Sequence, residues 1–173
     1  MSHHNNVDKV SFSLYATTMK LRKVTEDVFG RVFYTTRVSS LSEFATPFPA
    51  EYYVSLVWNN APISAVKAEE LGRQLILSGC RYIVTAGETG NTLETSFDRA
   101  YLHLGQERKV SEQDFVMTAS LQNENMQGTI EFFAHMTNFN NHEFTKFLIV
   151  FLDIHKKARV EVIRIMKRSV ILF

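Results

Sequence analysis

Arg81-Tyr82-Ile83-Val84-Thr85-Ala86-Gly87-Glu88-Thr89-Gly90 is the stretch whose reading decides the fold. Tyr82 to Ala86 is a short apolar run, rich in β-branched side chains and without polar alternation. That composition suits a strand covered on both faces. Gly79 stands before it, where a helix would end, and Gly87 follows where the chain must turn sharply. Lacking a Cβ, glycine suits both positions. Beyond the turn, Leu93, Phe97, Ala100, Tyr101 and Leu104 recur at helical spacing and form one apolar face. Helix, strand, turn and helix in succession are the grammar of a βαβ sheet.

Working outward, Tyr52 to Trp58 reads as a strand and Asn59-Asn60-Ala61-Pro62 as a turn. Ser64 stands where an N-cap belongs, and Ala65 to Ser78 is an amphipathic helix burying Ala68, Leu71, Gly72, Leu75 and Ile76. Downstream, Phe115 to Ser120 is a strand, and Asn123 is placed to cap a helix with Met126, Ile130, Phe133 and Ala134 inward. Phe147 to Leu152 is again uniformly apolar. The tail from Ala158 reads as a strand because valine and isoleucine dominate it, while a helical face of Ala158, Val162, Ile165 and Met166 fits nearly as well. In the opening third, Val10 to Thr17 alternates like a half-buried strand, and Val28 to Val38 makes a second. A hairpin across Met19 to Phe29 and a helical turn over Lys20 to Glu26 both fit. Pro47 and Pro49 mark Ser39 to Ala50 as a linker.

Right-handed crossovers then predict a mostly parallel central sheet with helices on both faces, in a Rossmann-like or flavodoxin-like three-layer arrangement. An N-terminal hairpin and a C-terminal edge strand are expected to extend it. Residues 1–173 are read as one domain, with 1–50 an N-terminal extension or hairpin and 51–173 the α/β core.

A hydrophobic fraction of 45% and an aromatic fraction of 12% argue for a folded globular protein. Nineteen basic residues against eighteen acidic ones leave a formal charge of +1, so no global attraction to nucleic acid or anionic lipid follows. One cysteine excludes an intrachain disulfide and a multi-cysteine metal site. Cys80 is expected to act as a small buried hydrophobe. The start of the chain lacks the layout of a signal peptide, and no apolar run is long enough to span a bilayer, so a cytoplasmic setting is expected.

In open parallel sheets, ligands bind beyond the carboxyl ends of the strands, near a topological switch point. That rule selects Asn59, Asn60, Gly87, Glu88, Thr89, Gln122, Asn123, Asp153 and His155 as ligand-binding candidates. Gly87-Glu88-Thr89-Gly90 lacks the lysine of a P-loop and the three-glycine spacing of the dinucleotide fingerprint, and Glu88 would repel a phosphate. It reads as a structural turn. No metalloprotease or nucleophile-elbow pattern appears, no metal site or cofactor is expected, and no catalytic set can be named. Lys156, Lys157, Arg159, Arg164, Lys167 and Arg168 make the tail locally basic. A solvated strand face is favoured over a nucleic-acid contact, since no aromatics interleave them.

Leu71 to Tyr82, the Ala86-Gly87-Glu88 turn, Phe97-Asp98 with Ala100, Val116-Met117-Thr118 and Glu131-Phe132-Phe133 resemble a family of small uncharacterised bacterial α/β proteins. The resemblance covers Tyr52 to Leu152, leaves the first fifty residues outside, and implies a cytoplasmic α/β domain without bringing a known activity. Where that pattern has a Trp-His pair after Met117-Thr118, this chain has Ser120-Leu121.

The expected function is therefore a non-enzymatic binding or regulatory protein acting by protein contact, of the accessory or immunity type, with a protein partner or a homodimer. Exposed aromatics among Tyr34, Phe44, Phe48, Tyr52 and Tyr53 would supply the interface. The alternative is a nucleotide-binding or hydrolytic enzyme with a small molecule at the strand-end rim. A filled rim would favour the first and a deep pocket with Glu88 and Asp153 converging the second.

Overall fold

The computed structural model describes residues 19–41, 44–139 and 141–171. The expected strand over Val10 to Thr17 lies outside the described residues. The described residues hold six strands and four α-helices, alternating from the third strand onward: β1 Arg22–Glu26, β2 Val32–Arg37, β3 Tyr53–Trp58, α1 Ala65–Leu77, β4 Cys80–Ala86, α2 Gly90–Glu107, β5 Met117–Ser120, α3 Met126–His135, β6 Lys146–Phe151 and α4 Lys156–Ile171. They form one sheet in the order β1-β2-β6-β3-β4-β5, parallel throughout except for the antiparallel β1–β2 pair.

The order explains itself from the crossovers. β3, β4 and β5 are added one after another in one direction, and the chain then returns through α3 to place β6 on the other side of β3. The switch point of the sheet therefore lies between β3 and β6. Leu56 sits level with Val84 on one side and Ile149 on the other. As the unalternated runs imply, β3 and β4 are buried along their whole length. Period-two alternation divides the strand residues between two cores. Val54, Leu56, Trp58, Val84, Ile149 and Phe151 pack with Ile130 and Phe133 of α3 and Val162 and Met166 of α4. Tyr53, Val57, Ile83, Leu148 and Val150 pack with Leu71 and Leu75 of α1 and Leu93 and Phe97 of α2. α1 and α2 approach closely at Gly72, where a Cβ would stand 2.6 Å from the Phe97 ring.

Two caps repay comparison with the sequence. Ser64 accepts the Lys67 N–H and starts α1 as expected. α3 is capped by Asn125, which accepts the Gly128 N–H, and not by Asn123 two residues earlier. Both asparagines have the right chemistry, and the first turn of backbone decides which is used.

The tail corrects the expected C-terminal edge strand. Lys156 to Ile171 is a helix, with Val162, Ile165, Met166, Ser169 and Val170 buried at the spacing of one helical face. Its β-branched residues cost a few tenths of a kcal/mol each in helix propensity, less than the ~0.8 kcal/mol that one buried methylene returns. Covering the sheet decides the matter. The opening third also differs in detail. The strand expected from Val28 begins at Val32, Lys20 to Glu26 supplies β1 and not a helical turn, and β2 lies inside the sheet, paired in parallel with β6.

Candidate functional site

At the carboxyl ends of β3, β4 and β6, Asn59, Asn60, Gly87 and Thr89 meet, and the polar groups of the two asparagines and the threonine bond to one another and to neighbouring backbone. Asn59, only 2% exposed, is the hub. Its Nδ2 donates to the Ala61 carbonyl at 2.6 Å and to Thr89 Oγ1 at 2.7 Å, while its Oδ1 accepts the Asp153 N–H at 3.2 Å. The Asn60 N–H donates to the Asp153 carbonyl at 2.9 Å, and Asn60 Oδ1 accepts the Glu88 N–H at 3.3 Å. The Thr89 hydroxyl donates to the Asn59 carbonyl. Gly87 has a φ of +88°, and a Cβ there would stand 2.3 Å from the Asn59 carbonyl oxygen. Glycine is required at this turn both by conformation and by contact.

The remaining predicted residues stand apart from that network. Gln122 Oε1 accepts the Asn91 N–H at 2.9 Å, joining the β5 edge to the start of α2, where Ser120 donates to Asn91. Glu88, Asn123, Asp153 and His155 are exposed, and the Glu88 and Asp153 carboxylates take no part in the Asn59 network. A cavity of about 490 Å³ lies beside the rim, between the ends of β2 and β6 and the start of α1. Arg37, Leu41, Ile63, Lys67, Leu152 and Asp153 line it, so Asp153 is the one predicted rim residue it takes. Among the described residues no group of three or more His, Cys, Asp or Glu is arranged to hold a metal ion.

Cys80 is fully buried, and its thiol donates to Ser55 Oγ and the Tyr82 carbonyl. Burial pushes it up to about 12, which removes it as a nucleophile. Beside it, the buried Arg81 donates to the Ile76 and Cys80 carbonyls, pairs with Asp114 at 2.8 Å and lies over the Tyr52 ring. This arginine ties the loop before β5 to the sheet.

The aromatics whose exposure would favour a contact surface are mostly covered. Tyr53 and Phe48 are buried, and the half-buried Tyr34 packs against Phe48 with its ring tilted. Phe44 is half-buried, leaving Tyr52 partly exposed under Arg81. The apolar surface instead lies at the opposite end of the sheet, on the β1–β2 turn. Val28 is 82% exposed and Phe29 71%. Phe29 lines a groove of about 910 Å³ together with Arg31, Glu131, Phe132, His135 and Met136.

Asp27 builds the turn that displays them. Its Oδ1 accepts the N–H groups of Phe29 and Arg31, its Oδ2 pairs with Arg31 Nε at 2.5 Å, and Gly30 closes the turn at a φ of +78°. Burial opposes the charge of Asp27, but the Arg31 N–H and guanidinium and the Phe29 N–H outweigh it and hold the carboxyl below its ordinary value. Arg31 also donates to the Ala134 carbonyl and lies near the Phe29 ring, fixing the tip against α3. The signal for this turn was present in Asp27 and Gly30, typical turn residues three positions apart. Val28 and Phe29 between them imitate the start of a strand.

A comparison with curated proteins gives no match. A family model described as a domain of unknown function (DUF7684) matches residues 31–169. The match reaches earlier than the resemblance read from Tyr52 onward, takes in β2 and most of α4, and leaves the Val28–Phe29 tip just outside. With most of its length matched, the chain belongs to this DUF7684 family.

Proposed function

We propose that this chain works by protein contact and not by catalysis, as an accessory binding protein. The observation that carries the reading is the Asp27-built turn, which holds two large apolar side chains in water beside an apolar groove. Single exposed apolar residues are ordinary, but Phe29 shares one groove with Phe132 and Met136, and Val28 is exposed beside it in the same turn. Pre-ordered aromatics of this kind suit an interface anchor, since little conformational entropy is lost when they are covered. The interlocked rim supports the same reading, because the Asn59, Asn60 and Thr89 side chains at its centre already bond to one another and to backbone. We also infer a Rossmann-like or flavodoxin-like three-layer arrangement from the two cores and the switch between β3 and β6. Among the described residues no helix is long and apolar enough to cross a membrane.

Affinity capture on the full chain tests the proposal when run beside the Phe29→Ser/Met136→Ser double variant. A protein retained by the first and released by the second, or a dimer seen by light scattering and lost in the variant, is the expected result. Equal retention by both would overturn it. The nucleotide-binding or hydrolytic reading keeps one observation, the cavity lined by Arg37, Lys67 and Asp153. A rise in melting temperature with one nucleotide or sugar phosphate, abolished by Lys67→Glu, would transfer the assignment there.

A further inference from the structure

α4 and α3 share one core, and near its end α4 meets α3 at a residue that lines the groove. The Ser169 carbonyl is 3.2 Å from Nε2 of the groove-lining His135, and the Ser169 hydroxyl accepts from Gln127 on α3 at 3.3 Å. Immediately before Ser169 stand Lys167 and Arg168, both exposed, and two residues after it stands Ile171, 74% exposed. Further along the helix Lys156, Lys157 and Arg164 are exposed too. Glu161 is the sole acidic residue of α4, and it is engaged by Arg164. In a chain whose formal charge is only +1, this helix is a concentrated positive surface.

The groove itself adds no free positive charge to compete with that surface. Arg31 is neutralised by Asp27, and Glu131, the acid among the lining residues, is held by Gln127 Nε2 at 2.5 Å. The surface thus has two parts: an apolar slot whose carboxylate, Glu131, keeps its charge while bonded to the neutral Gln127 amide, and a neighbouring helix whose six cations outnumber its one acid, Glu161. We propose that its partner is an acidic amphipathic segment of another protein, seating bulky apolar anchors against Phe29, Phe132 and Met136 and setting carboxylates opposite Lys167 and Arg168. The proposal rests on the protein-contact reading and names the chemistry of the partner. Apolar anchors supply the affinity, and the charges supply steering and register. Nucleic acid would use the cations and leave the groove empty. No aromatic lies among the cations of α4 to stack a base.

Selection of a displayed random-peptide library on the immobilised full chain tests this. Enriched peptides should carry aromatic or leucine anchors flanked by Asp or Glu. A synthetic peptide from the enriched set should lose about tenfold or more in affinity to the Phe29→Ser chain and to the Lys167→Glu/Arg168→Glu chain. Its affinity should also fall as salt rises. Both variants change exposed side chains, and an unchanged circular dichroism spectrum and urea midpoint verify their folding. Enrichment without acidic bias but still sensitive to Phe29 would overturn the acidic partner and leave protein contact standing. Failure of enrichment, while affinity capture still depends on Phe29, would likewise overturn the acidic segment alone. Binding of a labelled single-stranded RNA that needs Lys167 and Arg168 but not Phe29 would overturn both.

Discussion

The two ends of the sheet differ in what their exposed chemistry is for. At the carboxyl ends of β3, β4 and β6, polar residues converge and are consumed: Asn59 alone joins three loops. At the amino ends, an equally ordered turn spends its polar groups internally on Asp27 and Arg31 and leaves Val28 and Phe29 facing water. Convergence of polar side chains is thus no measure of a binding site. What matters is whether their hydrogen-bonding capacity is already met, since satisfied groups offer a ligand little.

That comparison is sharpest at Gly87. Gly87→Ala forces a side chain into a left-handed backbone and against the Asn59 carbonyl, so it should cost on the order of 2–3 kcal/mol, read as a fall in the urea midpoint. Asn59→Ala leaves the Asp153 N–H and its neighbours without a partner and should cost about 1–3 kcal/mol. If either variant is as stable as the parent, the rim is not the interlock described.

At the other end, acid should act through Asp27. A carboxyl held below its ordinary value in the folded chain stabilises it above the unfolded value, and that contribution is lost as pH falls through the folded value. Stability should therefore drop on acidification from the ordinary carboxyl range downward, and Asp27→Asn should remove part of that slope. Asp114 is held low first by the Ser111 hydroxyl and, against burial, by Arg81, so it accounts for some of the remainder. A slope unchanged in Asp27→Asn would mean that the carboxylate does not hold the turn.

Phe29→Ser should have the smallest effect on stability, within about 0.5 kcal/mol, because the side chain is mostly exposed. A large loss there would make Phe29 a core residue and blunt the contrast between the ends. Cys80 offers an independent check on the packing beneath both ends. Its thiol should resist a disulfide reagent in native buffer and react once urea unfolds the chain.

The strands and helices from Tyr53 to Phe151 were legible because each carries its own signal. Unbroken apolar runs at β3, β4 and β6, helical spacing in α1 and α2, Ser64 as a cap, and glycines at 79 and 87 are local properties of the chain. α4 was not legible in the same way. Its valines and isoleucines favour a strand by intrinsic preference, and only the need to cover the β2, β6 and β3 side chains imposes the helical face of Val162, Ile165 and Met166. Asn59, Asn60, Gly87 and Thr89 fall together at the strand ends, since the position of strand ends follows from element order. Whether Asn59 faces a ligand or another loop depends on distances between segments far apart in the chain.

By itself, then, the sequence determined that β3, β4, β5 and β6 are strands joined by crossover helices, that Cys80 has no disulfide partner within the chain, and that Gly87 makes a tight turn. These follow from short-range sterics, side-chain periodicity and residue counts. Only the tertiary structure decided that β2 lies inside the sheet, that the tail is a helix, that the rim satisfies itself, and that Phe29 and Met136 share a groove. Each of these depends on which distant surfaces are covered together, and burial is a property of the assembled fold and not of any one segment.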